Sequence, residues 1–191
     1  KAGIGSAFPA DDSLTSWNKQ PDNPLIPAPP AGYAHRDFRD PYVWKSDSLY
    51  YMIVGSGLQQ NGGGILFTYR SSDLKQWEVI SPLYQGNGTQ TGEFWEMPVF
   101  CQIDDSLYIL AVTPVPTPAK RAETIYWLGT WQNELFVPRQ AEPKKLELIQ
   151  ESLLSPAFGR DDQNKLTYIG IIPEDRNAAD QISAGWRHHF S

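Results

Sequence analysis

The sequence predicts an all-β chain built from a repeated sheet unit, and three observations predict it. Helical periodicity is nearly absent, while short runs of β-branched and aromatic residues recur between turn-forming clusters. The tetrad Asp47-Ser48-Leu49-Tyr50 returns unchanged as Asp105-Ser106-Leu107-Tyr108, 58 residues later, and repeat prolines stand at 41, 98 and 156. A second marker, an acidic turn followed by an aromatic, runs Asp12 to Trp17, Asp73 to Trp77 and Asn133 to Phe136, with its aromatics 60 and 59 residues apart. A unit near 58 residues holding four short strands reads as one blade of a β-propeller. The shared period favours this over a β-sandwich. The chain holds about 3.3 such units, and closed propellers need roughly four to eight. An incomplete propeller, unable to close alone, is therefore expected.

In chain order, residues 1–30 carry the first acidic turn, Asp12-Ser13-Leu14-Thr15-Ser16-Trp17. Residues 31–90 hold the strands Tyr50-Tyr51-Met52-Ile53-Val54 and Ile65-Leu66-Phe67-Thr68-Tyr69, joined across Asn61-Gly62-Gly63-Gly64. Residues 91–150 hold Tyr108-Ile109-Leu110-Ala111-Val112 and Thr124-Ile125-Tyr126-Trp127-Leu128. Glu142 to Ser152 is the one stretch that reads as a short helix. Residues 151–191 hold a weaker third copy: Pro156-Ala157-Phe158, an Asp161-Asp162 turn, and a strand from Leu166 to Ile172.

Composition narrows the partners. Sixteen Lys and Arg against 22 Asp and Glu leave a net charge of −6, which argues against nucleic acid or an anionic membrane. No apolar run approaches the roughly 18 residues of a membrane span, and Lys1-Ala2-Gly3 opens no signal-peptide pattern. The single Cys101 excludes an internal disulfide and a Cys-rich metal site, and it reads as an inert core thiol. His188-His189 are adjacent and on a strand would point to opposite faces, so no metal and no cofactor is expected. Gly3-Ile4-Gly5 is not a dinucleotide loop and Gly55-Ser56-Gly57 is not a nucleophile elbow. Asn87-Gly88-Thr89 fits the glycosylation pattern without further support, and His35 reads as a loop residue.

In a propeller, each blade's first strand lines the central channel, so the repeat openings are where chemistry would sit. They read Phe38-Arg39-Asp40-Pro41, Glu93-Phe94-Trp95-Glu96-Met97-Pro98 and Leu153-Leu154-Ser155-Pro156. Two openings place a carboxylate, Asp40 and Glu96, within two residues of the repeat proline, and equivalent blades bring both to one mouth of the channel. Converging carboxylates with an aromatic wall suit glycoside hydrolysis, in which one carboxyl stays protonated to donate to the leaving oxygen. Trp95 would supply that wall or a stacking face for a sugar. On spacing alone a second reading stands beside it: Asp40 as a strand-start cap paired with Arg39, and Glu96 as a surface acid.

The openings resemble motifs of glycoside hydrolase family 32, the invertases, inulinases and levanases: Phe38-Arg39-Asp40-Pro41 its Arg-Asp-Pro motif and Trp95-Glu96-Met97-Pro98 its Trp-Glu-Cys-Pro motif. The turns ending at Trp17 and Trp77 resemble its blade-end turns, and Ala184-Gly185-Trp186 its late blade five. The resemblance implies a five-bladed propeller and a retaining β-fructofuranosidase. In it Glu96 would be the general acid/base and Asp40 the transition-state stabiliser, with Arg39 fixing Asp40 and contacting the sugar alongside Trp95. It further implies that residues 1–30 are the outer part of blade two, 31–90 blade three, 91–150 blade four and 151–191 the start of blade five. The family nucleophile lies in an Asn-Asp-Pro motif; here Asp22-Asn23-Pro24 has the letters in another order, so the nucleophile's segment is expected to be missing and the chain alone inactive. Met97 replaces the motif's cysteine, and Leu153-Leu154-Ser155-Pro156 departs from the blade-five pattern that shapes the pocket. The rival readings are a catalytically inactive carbohydrate-binding propeller and a purely structural one. Open blade edges favour self-association in every case. The residues leave the compartment open; the resemblance favours a secreted or periplasmic setting.

Overall fold

The computed structural model describes residues 3–33, 35–60, 62–115, 123–146, 153–171 and 176–185. Trp186, His188, His189 and the second half of the stretch from Glu142 to Ser152 lie outside them, as does the His35 side chain. The elements are β1 (Ala7–Pro9), β2 (Trp17–Lys19), β3 (His35–Ser46), β4 (Leu49–Leu58), β5 (Gly63–Ser71), β6 (Glu78–Val79), β7 (Tyr84–Gln85), β8 (Phe94–Gln102), β9 (Tyr108–Val115), β10 (Ile125–Gln132), β11 (Leu135–Pro138), β12 (Lys144–Lys145), β13 (Leu154–Arg160), β14 (Leu166–Ile171) and α1 (Ala178–Ser183). The fold is nearly all-β, and among the described residues every strand pairing is antiparallel.

Two full sheets stand side by side, β3-β4-β5 and β8-β9-β10, each with a fourth strand broken in two. In the first, β6 and β7 both pair with β5, and Pro82 lies between them with no N–H to donate. The amides of Ile80 and Leu83 keep the ladder on either side, bonding Thr68 O and Leu66 O at 2.9 Å each. β1-β2 and β13-β14 form two-stranded sheets. Side-by-side four-stranded antiparallel sheets with no closed barrel are the propeller-type arrangement the repeat predicts.

The repeat markers acquire physical causes. The Trp17 indole donates to Leu14 O at 3.1 Å and the Trp77 indole to Leu74 O at 3.2 Å, so both turns are the same device. Asp73 caps its turn through the amides of Lys75 and Gln76, while in the first turn Asp11, not Asp12, takes the Ser13 amide. Asn133 to Phe136 is a different structure. Asn133 and Glu134 both have positive φ, 52° and 63°, and make the two-residue hairpin turn between β10 and β11.

The expected helix from Glu142 begins instead as an edge strand, because Lys144 and Lys145 pair with Tyr126 and Ile125 of β10. The helix that does form, α1, is capped by the Asn177 side chain accepting the Asp180 amide. β4 is apolar on both faces because both are covered. Ile53 joins Leu66, Trp95, Phe100, Leu110 and Trp127 between the two full sheets, while Met52 and Val54 join Phe38, Ile65, Phe67 and Tyr69 on the far side.

Candidate active site

The innermost strands β3, β8 and β13 share one irregularity. Pairing register shifts between Arg39 and Tyr42, between Glu96 and Val99, and between Leu154 and Ala157. In each bulge the residue before the repeat proline is left-handed: Asp40 at φ 57°, Met97 at 47° and Ser155 at 50°. Proline withdraws an N–H from the ladder and restricts the residue before it, so a bulge there follows from the sequence. It also turns the flanking side chains out of the sheet.

In the first two bulges those side chains meet. Asp40 Oδ2 accepts the Met97 amide at 3.0 Å, joining β3 to β8. Arg39 reaches across with Nη1 3.3 Å from Glu96 Oε1, and its Nη2 lies 3.3 Å from Asp37 Oδ1. The guanidinium sits over the Phe94 ring, 4.8 Å from its centroid, a cation–π contact that adds a third constraint. Glu96 is about one-third exposed, and its carboxyl is pushed above the usual carboxylate range. Burial is the main cause; Arg39 opposes it, while the charges of Asp40 and Asp37 add to it.

The structure thus brings Asp40, Arg39 and Glu96 together. Trp95 stands apart from them. It is fully buried, its indole N–H is bonded to Thr91 O at 2.8 Å, and its ring packs with Tyr84 and Trp127. A Cβ on Gly64 would lie 2.3 Å from that ring, so the indole lies flat on a bare backbone. The expected sugar-stacking role for Trp95 is therefore corrected to a wedge between the sheets, because neighbouring residues on a strand face opposite ways and Glu96 takes the open side. Arg39 also holds Glu96 and Asp37, not Asp40 as expected. Two residues were missed, Asp37 and Phe94. Each lies two positions before a site residue on its own strand, on the same face by alternation, and that spacing is the signal that could have found them.

Cys101, expected in the core, is half-buried; burial raises its thiol, and it lines a cavity of about 470 Å³ with Tyr42, Trp44 and Arg160 at the other end of the inner strands. Asn23, in the reordered Asp-Asn-Pro, holds Ser6 through both its amide atoms, a purely local tie. Among the described residues no group of three or more His, Cys, Asp and Glu could hold a metal ion, and no helix is long and apolar enough to cross a membrane.

The sequence matches the Glycosyl hydrolases family 32 N-terminal domain over residues 5–191. It is 29% identical to fructan 1-exohydrolase w2 of Triticum aestivum, a match covering 94% of this chain and 33% of that protein. It is 27% identical to a sucrose-6-phosphate hydrolase of Klebsiella pneumoniae, covering 88% of this chain and 38% of that protein. Among solved structures, a Bombyx mori GH32 β-fructofuranosidase in complex with sucrose superposes with a TM-score of 0.77 at 25% identity, covering 95% of this chain and 39% of that one. Fructan 1-exohydrolase IIa of Cichorium intybus, in complex with 1-kestose, shares the fold with a TM-score of 0.75 over 95% of this chain and 37% of that one. The chain thus spans between 33% and 39% of the length of these proteins. With a family match over nearly its whole length and the propeller-type fold of those structures, the chain belongs to glycosyl hydrolase family 32.

Proposed function

We propose that the protein hydrolyses a fructoside of the sucrose, inulin or levan type with retention, and that this chain supplies Glu96 as general acid/base and Asp40 as transition-state stabiliser. One observation carries the reading: neighbouring sheets bring the two carboxylates side by side, Asp40 bonded to the amide of Met97 next to Glu96, and Glu96 paired with Arg39 next to Asp40. The sucrose and 1-kestose complexes of its structural relatives favour this substrate class.

The chemistry fits the electrostatics. A half-buried carboxyl with a raised proton affinity keeps a larger protonated share than an ordinary glutamate, as a general acid must. In the first step the Glu96 O–H passes its proton to the departing glycosidic oxygen while a carboxylate nucleophile attacks the anomeric carbon. In the second, the Glu96 carboxylate takes a proton from the water that attacks the same carbon and releases the nucleophile. Asp40, with Oδ2 held by Met97, has Oδ1 to receive a sugar hydroxyl, and Arg39 contacts the sugar beside it. The nucleophile belongs to the Asn-Asp-Pro segment that the resemblance implies and these 191 residues do not contain, so in this reading the chain alone does not turn over. The β1-β2 hairpin is then the outer part of blade two, the two full sheets are blades three and four, and β13-β14 begins blade five.

The test is Glu96→Gln in the full-length protein. Turnover of sucrose, inulin and levan falls about a thousand-fold with the fold and sugar binding retained. Normal turnover by that variant removes Glu96 from the mechanism. Sugar binding by the unmodified full-length protein without release of reducing sugar selects the binding-only alternative.

A further inference from the structure

The segment Gly55-Ser56-Gly57 of β4 is a seat. A Cβ on Gly55 would lie 2.3 Å from Trp95 O, and one on Gly57 2.3 Å from Glu93 O, so the β8 backbone just before Glu96 rests directly on β4. Between the glycines, Ser56 is fully buried and its hydroxyl donates to the Asp37 carbonyl. Asp37 and the strand bearing Glu96 are thus fixed by the same three residues. From that position Asp37 takes one arm of Arg39 while the other arm meets Glu96.

We propose that Asp37 is a positioning residue for the acid/base carboxylate: it holds one nitrogen of Arg39 so that Glu96 receives only a single-armed contact and can alternate between its two protonation states. The proposal rests on the reading of Glu96 above. A guanidinium free to pair with Glu96 through both arms would hold it as the anion, the form that cannot donate. Among the described residues, three charged groups act on Glu96: Arg39 against protonation, Asp40 and Asp37 in favour of it. Its register partner on β9 is Thr113, and Gly55 and Ser56 of β4 carry no titrating group. Removing the charge of Asp37 therefore acts in one direction by two routes, by freeing Arg39 and by withdrawing a neighbouring anion.

The experiment is the pH profile of kcat/KM for Asp37→Asn and Asp37→Glu in the full-length protein. In Asp37→Asn the loss is uneven, growing to roughly three-fold more on the alkaline limb than on the acid limb, about what one half-exposed ion pair is worth. Asp37→Glu restores the profile. Asp37→Ser is measured beside them, so that a folding failure of one variant decides nothing. An equal loss at every pH, or no loss, overturns the proposal. Glu96→Gln in the same assay separates the levels: if it turns over normally, the reading of Glu96 has failed; if it is dead while Asp37→Asn shows no pH dependence, only the role of Asp37 has.

Discussion

The two inner-strand junctions of this chain use the same backbone and different chemistry. Between β3 and β8, the amide freed by the bulge is taken by a carboxylate, Asp40, with Arg39 and Glu96 beside it. At the next junction, the equivalent amide of Ser155 on β13 is taken by the hydroxyl of Thr113 on β9 at 3.0 Å, and Thr113 in turn lies 3.3 Å from the Thr124 hydroxyl. Thr113 and Thr124 are buried and neutral; Asp40, Arg39 and Glu96 face solvent in part. The bulge is thus a property of the repeat, imposed by its proline. What makes one junction a candidate site is the charge placed just before that proline, Arg39 and Asp40 ahead of Pro41 and Glu96 ahead of Pro98.

Several changes would break or sharpen this contrast, the largest first. Asp40→Asn keeps an acceptor for the Met97 amide while removing the charge. It should lower kcat about a hundred-fold or more with little change in the melt, the mark of an interaction made in the transition state. Trp95→Ala removes the wedge shared by the sheets, and urea midpoints should report a loss of about 3–5 kcal/mol. Thr113→Val leaves the Ser155 amide without its acceptor, costing about 1–3 kcal/mol in the same assay; unlike Asp40→Asn, it should leave the shape of the pH profile intact. Glu134→Gln weakens the clasp in which Arg70 meets both Glu134 oxygens at 3.0 Å, joining β5 to the β10–β11 turn. Both side chains are about a third exposed, so the cost should stay under about 1 kcal/mol and shrink with added salt.

The smallest effect separates function from stability at one residue. Burial raises the folded-state proton affinity of Glu96, so its contribution to stability is complete below the ordinary value of 4.5 and is lost as pH rises through the raised folded value. Glu96→Gln cannot ionise. Its melting temperature relative to the parent should therefore climb with pH across that window, and a flat difference would mean that Arg39 fully offsets the burial.

Much of this was legible in the sequence because the repeat prolines and turn aromatics act locally. A proline forces a bulge wherever it stands on an inner strand, so positions 41, 98 and 156 were sufficient to align the three openings and find Asp40 and Glu96. Trp95 misled because it adjoins Glu96 in sequence, whereas alternation puts it on the opposite face. The stretch from Glu142 has helix-forming residues, but β10 offers an open edge there, and pairing overrides local preference. The six residues of α1 are too few for a helical period to show in the sequence. The split of Arg39 between Asp37 and Glu96 depends on how closely β8 approaches β4, a tertiary distance that no single segment encodes.

The hydrogen bond from the Met97 amide to Asp40 makes the span between the two carboxylates a mechanical quantity. Each carboxylate is bolted to a different sheet, so sliding one sheet past the other by a fraction of an ångström would open or close the gap like the jaws of a caliper. In the proposed reading, the fit to a sugar would follow from how stiffly the sheets are clamped, and remote fasteners such as Arg70 and Glu134 would share in its calibration.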